Sequence, residues 1–414
     1  MTESDFSFVG SSRPRVDAGA QVSGRTVFAD DISLPGMLVG RQLRSPHGHA
    51  RITRIDTARA LALEGVVTVI TGAALPITYG ILPVSQDEHA LALERVRYVG
   101  EPVAAVAAVD AETAARALKL IEVEYEIIEE TVSIAEAATA RVLIHGDGVG
   151  KNMHRTAALE FGDVSQGFEE ADHIREDLYD FRGSTHAALE QHAAVASHGA
   201  DGRLTIWSST QVPHYLHRTL EKVLELPAGR IRVVATPVGG GFGGKTDPFS
   251  HEIVAARLAM VTGQPVKITL SREEVFYSHR GRHPVLMWVR TGFRRDGTIT
   301  AMHFRTHLDG GAFGSYGLAS LYYTGALQPS TYRIPNYKFE GVRVFTNKPP
   351  CGPKRGHGTP QPRFALECQL DAAAADLGID PVTIRLRNLV KPFSTTVNYL
   401  RITSCGLQEC IEQV

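Results

Sequence analysis

The stretch Val238-Gly239-Gly240-Gly241-Phe242-Gly243-Gly244-Lys245-Thr246 constrains this chain more than any other. Glycine fills five of the six positions from 239 to 244. Such density is costly inside a helix or strand, because glycine loses the most backbone freedom on ordering. It suits a bare loop that adopts φ > 0 and lets a ligand approach the backbone. A β-branched run, Ile231-Arg232-Val233-Val234-Ala235-Thr236, precedes it. Ser250 to Val261 follows and predicts a helix, stopped by Gly263 with Pro265 beyond. The pattern is strand, loop, helix start. Consecutive free N–H groups near a helix N-terminus form a concavity for anions. The loop is therefore expected to hold a negatively charged cofactor.

A structural turn is the bland reading, and two ligand chemistries compete with it. Gly239, four residues, then Gly244-Lys245-Thr246 satisfies the P-loop pattern for nucleotides. That chemistry also needs an acidic residue ending a nearby apolar strand, to hold magnesium. Asp309 is the nearest, but the run Ile299 to Leu308 before it carries two histidines and an arginine. It is a poor match.

The second chemistry rests on a resemblance carried by four ordered segments. They are Ser208-Ser209-Thr210-Gln211, Gly239 to Lys245, Gly281-Arg282-His283-Pro284 and Lys354-Arg355-Gly356-His357-Gly358. Together they resemble the molybdenum-binding large subunit of the xanthine oxidase family, from about Arg15 to the last residue. The large subunits of 4-hydroxybenzoyl-CoA reductase and nicotinate dehydrogenase are similar in the same way. The resemblance implies an α/β (α+β) fold: residues 1–14 loose, a hammerhead-like α/β domain over 15–150, and the first part of a molybdopterin-binding domain over 151–414. It implies molybdopterin carrying molybdenum, often as the cytosine dinucleotide. It also implies hydroxylation, or reductive dehydroxylation, of an aromatic or N-heteroaromatic compound with water as oxygen source.

The resemblance also implies roles for single residues. Gln211 matches the amide that donates a hydrogen bond to the metal's oxo group. A neutral donor suits that place because it leaves the charge unchanged. Gly240, Gly241, Phe242, Gly243 and Gly244 match the backbone packed beside the cofactor. Arg355 matches an arginine bordering the metal, and Arg282 a position that steers or polarises substrate. His357 stands where purine oxidisers stack an aromatic ring on the substrate. Imidazole there would donate a hydrogen bond or a proton, which points to a substrate with a carboxylate or an oxygen. Thr246 replaces the purine oxidisers' glutamate, which puts purine specificity in doubt. His186 and Glu190 fall in a short family segment where they pair structurally. The carbon monoxide branch places a copper-binding cysteine after the arginine, and Cys351 does not match it.

The family's catalytic base is a glutamate near the end of a longer subunit. It takes a proton as an oxygen derived from water attacks the substrate carbon, and electrons leave through iron–sulfur clusters to a flavin. No residue of this chain matches it. The expectation is a second molybdopterin-binding chain bearing that glutamate, a two-cluster (2Fe-2S) iron–sulfur chain and an FAD chain, or else that this sequence is a fragment. The rivals are the P-loop nucleotidase, a pterin-binding scaffold without chemistry, and a non-redox, hydratase-like relative.

Composition bounds the rest. A net charge of −2 gives no electrostatic case for nucleic acid or an acidic membrane surface. No run of 18 apolar residues would span a bilayer. Four cysteines without a C-x-x-C pair argue against a disulfide framework or a cluster held by this chain, and fit a reduced cytoplasm. The N-terminus lacks the charged-then-apolar pattern of a secretory signal. His47-Gly48-His49 has too few ligands for a metal and is expected to be solvated. Val66 to Ile70, Val103 to Val109, Glu122 to Ile127 and Leu204 to Trp207 predict strands. Asp110 and Asp380-Pro381 predict helix starts. Gly24 to Asp31, on its residues alone, predicts a loop and a strand. A boundary is expected near the connector His145 to Gly150.

Overall fold

The computed structural model describes residues 7–139, 142–146, 151–278 and 280–414. The early chain lays down β1 (Leu38–Arg44), β2 (Ala50–Asp56), β3 (Val66–Thr71), β4 (Pro102–Ala108), α1 (Ala111–Leu118) and β5 (Glu122–Ile127). All of β4 is buried. Its four alanines keep the bulk on each face small, so layers pack closely on both sides. Asp110 caps α1 by accepting from the Thr113 amide. Beyond residue 150 come β6 (Met153–Phe161), β7 (His173–Phe181), β8 (Ala193–His198) and β9 (Leu204–Ser208). Then follow α2 (Pro213–Leu224), β10 (Ile231–Ala235), α3 (Ser250–Thr262), β11 (Val266–Thr269), β12 (Val285–Phe293) and β13 (Ile299–Asp309). The last elements used below are α4 (Gly317–Ala326), β14 (Tyr337–Val344), α5 (Pro360–Leu377) and α6 (Pro381–Asn388).

Seven strands form one sheet in the order β10-β9-β8-β11-β1-β4-β3. This sheet runs across the expected boundary near residue 150. β1 lies parallel to β11, with Leu38 opposite Val266 and Val39 opposite Lys267. Helix α3 packs on it and buries Ile253, Val254, Ala255, Ala256, Leu258 and Ala259. Residues in an unbroken run are buried there, as in a helix enclosed on most sides. A second sheet, β6-β14-β13-β12-β7, has β14 parallel to β13 and its other pairs antiparallel. Phe304 and Phe339 on its inner face share a core with Leu366 and Leu370 of α5. Helices and mixed sheets alternate, which is the α/β (α+β) class expected.

Two local expectations change. Gly24 to Asp31 holds no strand: Ala29–Asp31 is a 3-10 turn, closed by the Asp31 carboxylate accepting from the Phe28 amide at 2.8 Å. Asp30 instead reaches β11, accepting from the Thr269 hydroxyl at 2.5 Å. His49 is buried rather than solvated, its Nδ1 2.9 Å from the Glu129 carbonyl. Of the glycine-rich connector, residues 147–150 lie outside the described part, as do residues 1–6.

A buried charge cluster joins the layers beneath the glycine loop. Arg280 donates to both Glu88 oxygens at 2.8 and 2.6 Å and to Asp247 Oδ2 at 3.0 Å. Its guanidinium also lies over the Phe249 ring at 5.2 Å. Burial pushes the Glu88 carboxyl up to about 7, against the pull of Arg280. Arg280→Met strands both carboxylates and is expected to lower the unfolding free energy by about 3–5 kcal/mol. Urea denaturation reads that loss. The triple variant with Glu88→Gln and Asp247→Asn is expected to recover most of it.

Candidate functional site

Strand β10 feeds the glycine loop and α3 follows, both as expected, with Lys245 to Phe249 between loop and helix. Helix α3 begins at Ser250, and its cap is closed by Glu252, whose Oε2 accepts from the Phe249 amide at 2.7 Å. The Phe249 amide is thus satisfied within the helix start, and the open backbone lies in the loop itself. Gly240 and Gly243 hold φ of +99° and +91°. A Cβ on Gly241 would collide with Gln211 Oε1, and one on Gly243 would sit 2.8 Å from the Pro353 carbonyl. Phe242 is left-handed as well, with φ 53°. For a residue with a side chain that conformation costs on the order of 1–2 kcal/mol. Its ring remains 46% exposed, so core packing does not hold it there.

Lys245 does not face a phosphate. It is 1% exposed, and its Nζ donates to Glu190 Oε2 at 2.6 Å. The same carboxylate oxygen accepts from the Gly239 amide at 2.8 Å. Burial lowers the Lys245 pKa and the Glu190 hydrogen bond opposes the shift. Asp309 is buried and committed to Thr346, Gly311 and Lys348. The two charged groups the P-loop chemistry needs are thus spent inside the protein.

Several loop amides are spent too. Those of Gly243 and Lys245 both donate to Gln211 Oε1 at 3.2 Å, and that of Gly244 donates to the Gly241 carbonyl. The amides of Gly240, Gly241 and Phe242 have no protein acceptor among the described residues. Two amides on its oxygen fix which way the Gln211 carboxamide points. Its Nε2 is left as a donor with no protein acceptor among the described residues. The Gln211 backbone is pinned in turn, its amide donating to the Lys245 carbonyl at 2.8 Å.

The segment from Cys351 to Thr359 lies across this loop. The Arg355 amide donates to the Phe242 carbonyl at 2.9 Å. His186 Nε2 lies 2.7 Å from the Pro353 carbonyl, and Lys354 Nζ donates to Ser184 Oγ at 2.6 Å. The Arg355 guanidinium is exposed and has no partner among the described residues. Arg282 sits differently. It is buried, and its Nη2 donates to the Arg355 carbonyl at 2.5 Å. The Arg282 side chain thus supports the loop that carries Arg355. Burial lowers the pKa of Arg282 and of Lys354, and Arg282 adds to the shift on Lys354. None of these three cations pairs with a carboxylate among the described residues.

His357 follows one turn of chain later. Its Nε2 hydrogen-bonds to Ser320 Oγ, and its ring meets Tyr316 and Tyr323 edge-on at 5.8 and 5.7 Å. Burial first, then Arg282, pulls its pKa down to about 4. At neutral pH it is an uncharged hydrogen-bonding group. Thr246 folds back onto the loop, its hydroxyl on the Gly243 carbonyl at 2.6 Å. The tyrosines around His357 escaped the sequence reading. The adjacent Tyr322-Tyr323 pair, both partly exposed on one helix, was the signal available.

The site thus brings Gln211, the 240–244 backbone, Arg355 and His357 together, with Arg282 behind. Its polar groups are nearly all donors, and its one close carboxylate among the described residues, Glu190, is neutralised by Lys245. That suits an oxygen-rich anionic group. Lys245→Met leaves Glu190 as a buried unpaired charge and is expected to cost about 3–5 kcal/mol. The double variant Lys245→Met/Glu190→Gln is expected to recover part of it, measured by chemical denaturation. Equal losses in the single and double variants would show that the pair is not coupled.

Comparison with known proteins adds independent findings. The molybdopterin cofactor-binding domain family matches residues 144–389. The a/b hammerhead domain of aldehyde oxidase and xanthine dehydrogenase matches residues 23–129. The nicotinate dehydrogenase large molybdopterin subunit of Eubacterium barkeri is 36% identical over 93% of this chain and 90% of its own length. The xanthine dehydrogenase molybdenum-binding subunit of Escherichia coli O157:H7 is 34% identical over 96% of this chain and 54% of its own length. The chain thus spans most of the first relative and about half of the second. Among solved structures, quinoline 2-oxidoreductase from Pseudomonas putida 86 superposes with TM-score 0.89 at 28% identity, over 98% of this chain and 53% of that one. Aldehyde oxidoreductase from Desulfovibrio gigas gives 0.90 at 29% identity, over 98% and 46%.

Proposed function

Because this chain belongs to the family of molybdopterin cofactor-binding subunits of xanthine dehydrogenase-type oxidoreductases, we propose that it forms one part of a molybdenum hydroxylase. The proposed substrate is a small aromatic or N-heteroaromatic compound, hydroxylated with water as oxygen source or reductively dehydroxylated. The observation that carries the reading is the locked Gln211 carboxamide beside three unpartnered loop amides.

When bound, molybdopterin with its molybdenum supplies the redox chemistry. The chain's own residues hold and orient. The N–H groups of Gly240, Gly241 and Phe242 and Gln211 Nε2 offer fixed donors to the cofactor's oxygens. Preorganised donors of this kind need no reorganisation as charge develops. Arg355 adds a full positive charge at the exposed edge, and Arg282 keeps the Arg355 backbone in place. His357, neutral and anchored on Ser320, offers a hydrogen bond to the substrate. The proton-accepting glutamate belongs on a second molybdopterin-binding chain, with 2Fe-2S and FAD chains completing electron transfer. The hammerhead-like unit is taken as 15–150 and the cofactor unit as 151–414, working in the cytoplasm. Among the described residues no helix is long and apolar enough to cross a membrane. Neither the net charge of −2 nor the site gives a case for nucleic acid.

Two measurements test this. Gln211→Leu removes the donor, and in the complex purified with its partner chains kcat is expected to fall about 10²-fold, on the order seen when one preorganised donor is lost. Molybdenum content, read by elemental analysis, should stay within twofold. Unchanged turnover would remove Gln211 from the site. In the same complex the pH profile of kcat/KM is expected to show no inflection from His357 between pH 5 and 8, since its pKa lies near 4. A His357→Asn variant that moves an inflection in that window would refute the neutral assignment.

A further inference from the structure

One face of α4 clamps His357. Tyr316, which caps α4, and Tyr323 meet the imidazole edge-on at 5.8 and 5.7 Å. Ser320 lies between them in sequence, one helical turn from each and so on the same face. Its hydroxyl is hydrogen-bonded to His357 Nε2. The helix can come this close because position 358 is glycine. A Cβ there would stand 2.8 Å from the Ser320 carbonyl and 2.9 Å from Tyr323 Cβ. Thr324 completes the dock, its hydroxyl 3.1 Å from the Gly358 carbonyl. The imidazole is thereby held against the helix from several sides.

Hydrogen-bond accounting decides which partner donates. Ser320 is 1% exposed, and its hydroxyl meets no other hydrogen-bonding group among the described residues. A hydroxyl has one hydrogen to give, and an imidazole nitrogen either gives or takes. If Nε2 donated, the serine hydrogen would be buried without an acceptor, which costs the desolvation of that group. If Ser320 donates, its hydrogen is used and only lone pairs are left over. Ser320 is therefore the donor and Nε2 the acceptor. A neutral imidazole carries a single ring hydrogen, so that hydrogen sits on Nδ1. Burial first, then Arg282, keeps the ring neutral. His357 is only partly buried, and its Nδ1 has no protein acceptor among the described residues.

We propose that Ser320 is a positioning residue that locks His357 as the Nδ1–H tautomer, so that the site meets its substrate with a fixed donor and recognises a hydrogen-bond acceptor on it, an unprotonated ring nitrogen or a ring oxo group. Recognition of that acceptor rests on the hydroxylase reading and narrows its substrate class. The tautomer lock stands independently of it. A site that can only donate at this point disfavours a ring N–H, which would meet the imidazole hydrogen to hydrogen.

Nitrogen NMR of the full chain, with its histidines labelled by heavy nitrogen, separates the tautomers, because protonated and bare ring nitrogens resonate far apart. The signals lost in His357→Asn are those of His357. The wild type is expected to show a protonated Nδ1 and a bare Nε2. The reverse pattern overturns the proposal before any variant of Ser320 is made. Ser320→Ala is expected to raise the Nε2–H tautomer to a major share, whereas Ser320→Thr, which keeps the hydroxyl, should hold the wild-type pattern. A tautomer unmoved by Ser320→Ala removes Ser320 from the role. Recognition is read in the complex with its partner chains, as equilibrium binding of isoquinoline, an acceptor, against indole, a donor. The ratio of their affinities is expected to fall about tenfold in Ser320→Ala, on the order of one hydrogen bond, and to be restored in Ser320→Thr. A ratio that Ser320→Ala leaves unmoved overturns the recognition step. The lock and the ratio both as expected, with no turnover of any ring compound, would uphold the proposal and sink the hydroxylase reading.

Discussion

The Glu190–Lys245 pair is the contact on which the site's shape depends. One carboxylate oxygen takes both the Lys245 ammonium and the Gly239 amide, at 2.6 and 2.8 Å. This ties the two ends of the glycine loop to a single point on the 185–191 segment. With its ends fixed, the loop's middle must bulge outward through left-handed Gly240, Phe242 and Gly243. The strain at Phe242 persists because the surroundings over-determine it: its carbonyl accepts from the Arg355 amide, and its neighbours clasp Gln211. Strained backbone held in this way is characteristic of sites that bind a ligand.

From that fixed loop the electrostatics follow. The pair consumes the nearby negative charge, so Arg355 and Lys354 border a site without a competing carboxylate among the described residues. Arg282 works from below, turning the Arg355 carbonyl inward and leaving its guanidinium out. Burial first, and Arg282 after it, keep His357 neutral.

The sequence made much of this legible, for reasons that vary by residue. Strands β4 and β9 and the caps at Asp110 and Asp380 follow from local chemistry, and each forms as expected. The glycine loop announced a bare backbone, but not what would pack on it. Gly241 is small for Gln211, Gly244 for His186 and Gly243 for Pro353, all distant in sequence. Lys245 satisfied a nucleotide pattern because the pattern counts spacing and ignores Glu190, whose carboxylate arrives only through tertiary structure. The burial of Arg282 and its bond to the Arg355 carbonyl are not readable from one arginine in the sequence. The tyrosines around His357 cap and lie on α4, and they meet the histidine only when α4 docks against the 351–359 loop. Gly24 to Asp31 read as part strand because its apolar residues fit one, while its aspartates close a turn instead.

The parallel pairing of β1 with β11 has a consequence for how the molecule is made. The strand at positions 38–44 meets its neighbour only at positions 266–269. During synthesis the first strands of the larger sheet emerge with one edge open, and they wait for most of the chain before that edge is covered. Non-local closure of this kind carries a large loop entropy and slows folding. An uncovered, alanine-rich strand pair is also a template for pairing with another chain. The nascent polypeptide is therefore most in need of a chaperone during the interval before residue 270 leaves the ribosome.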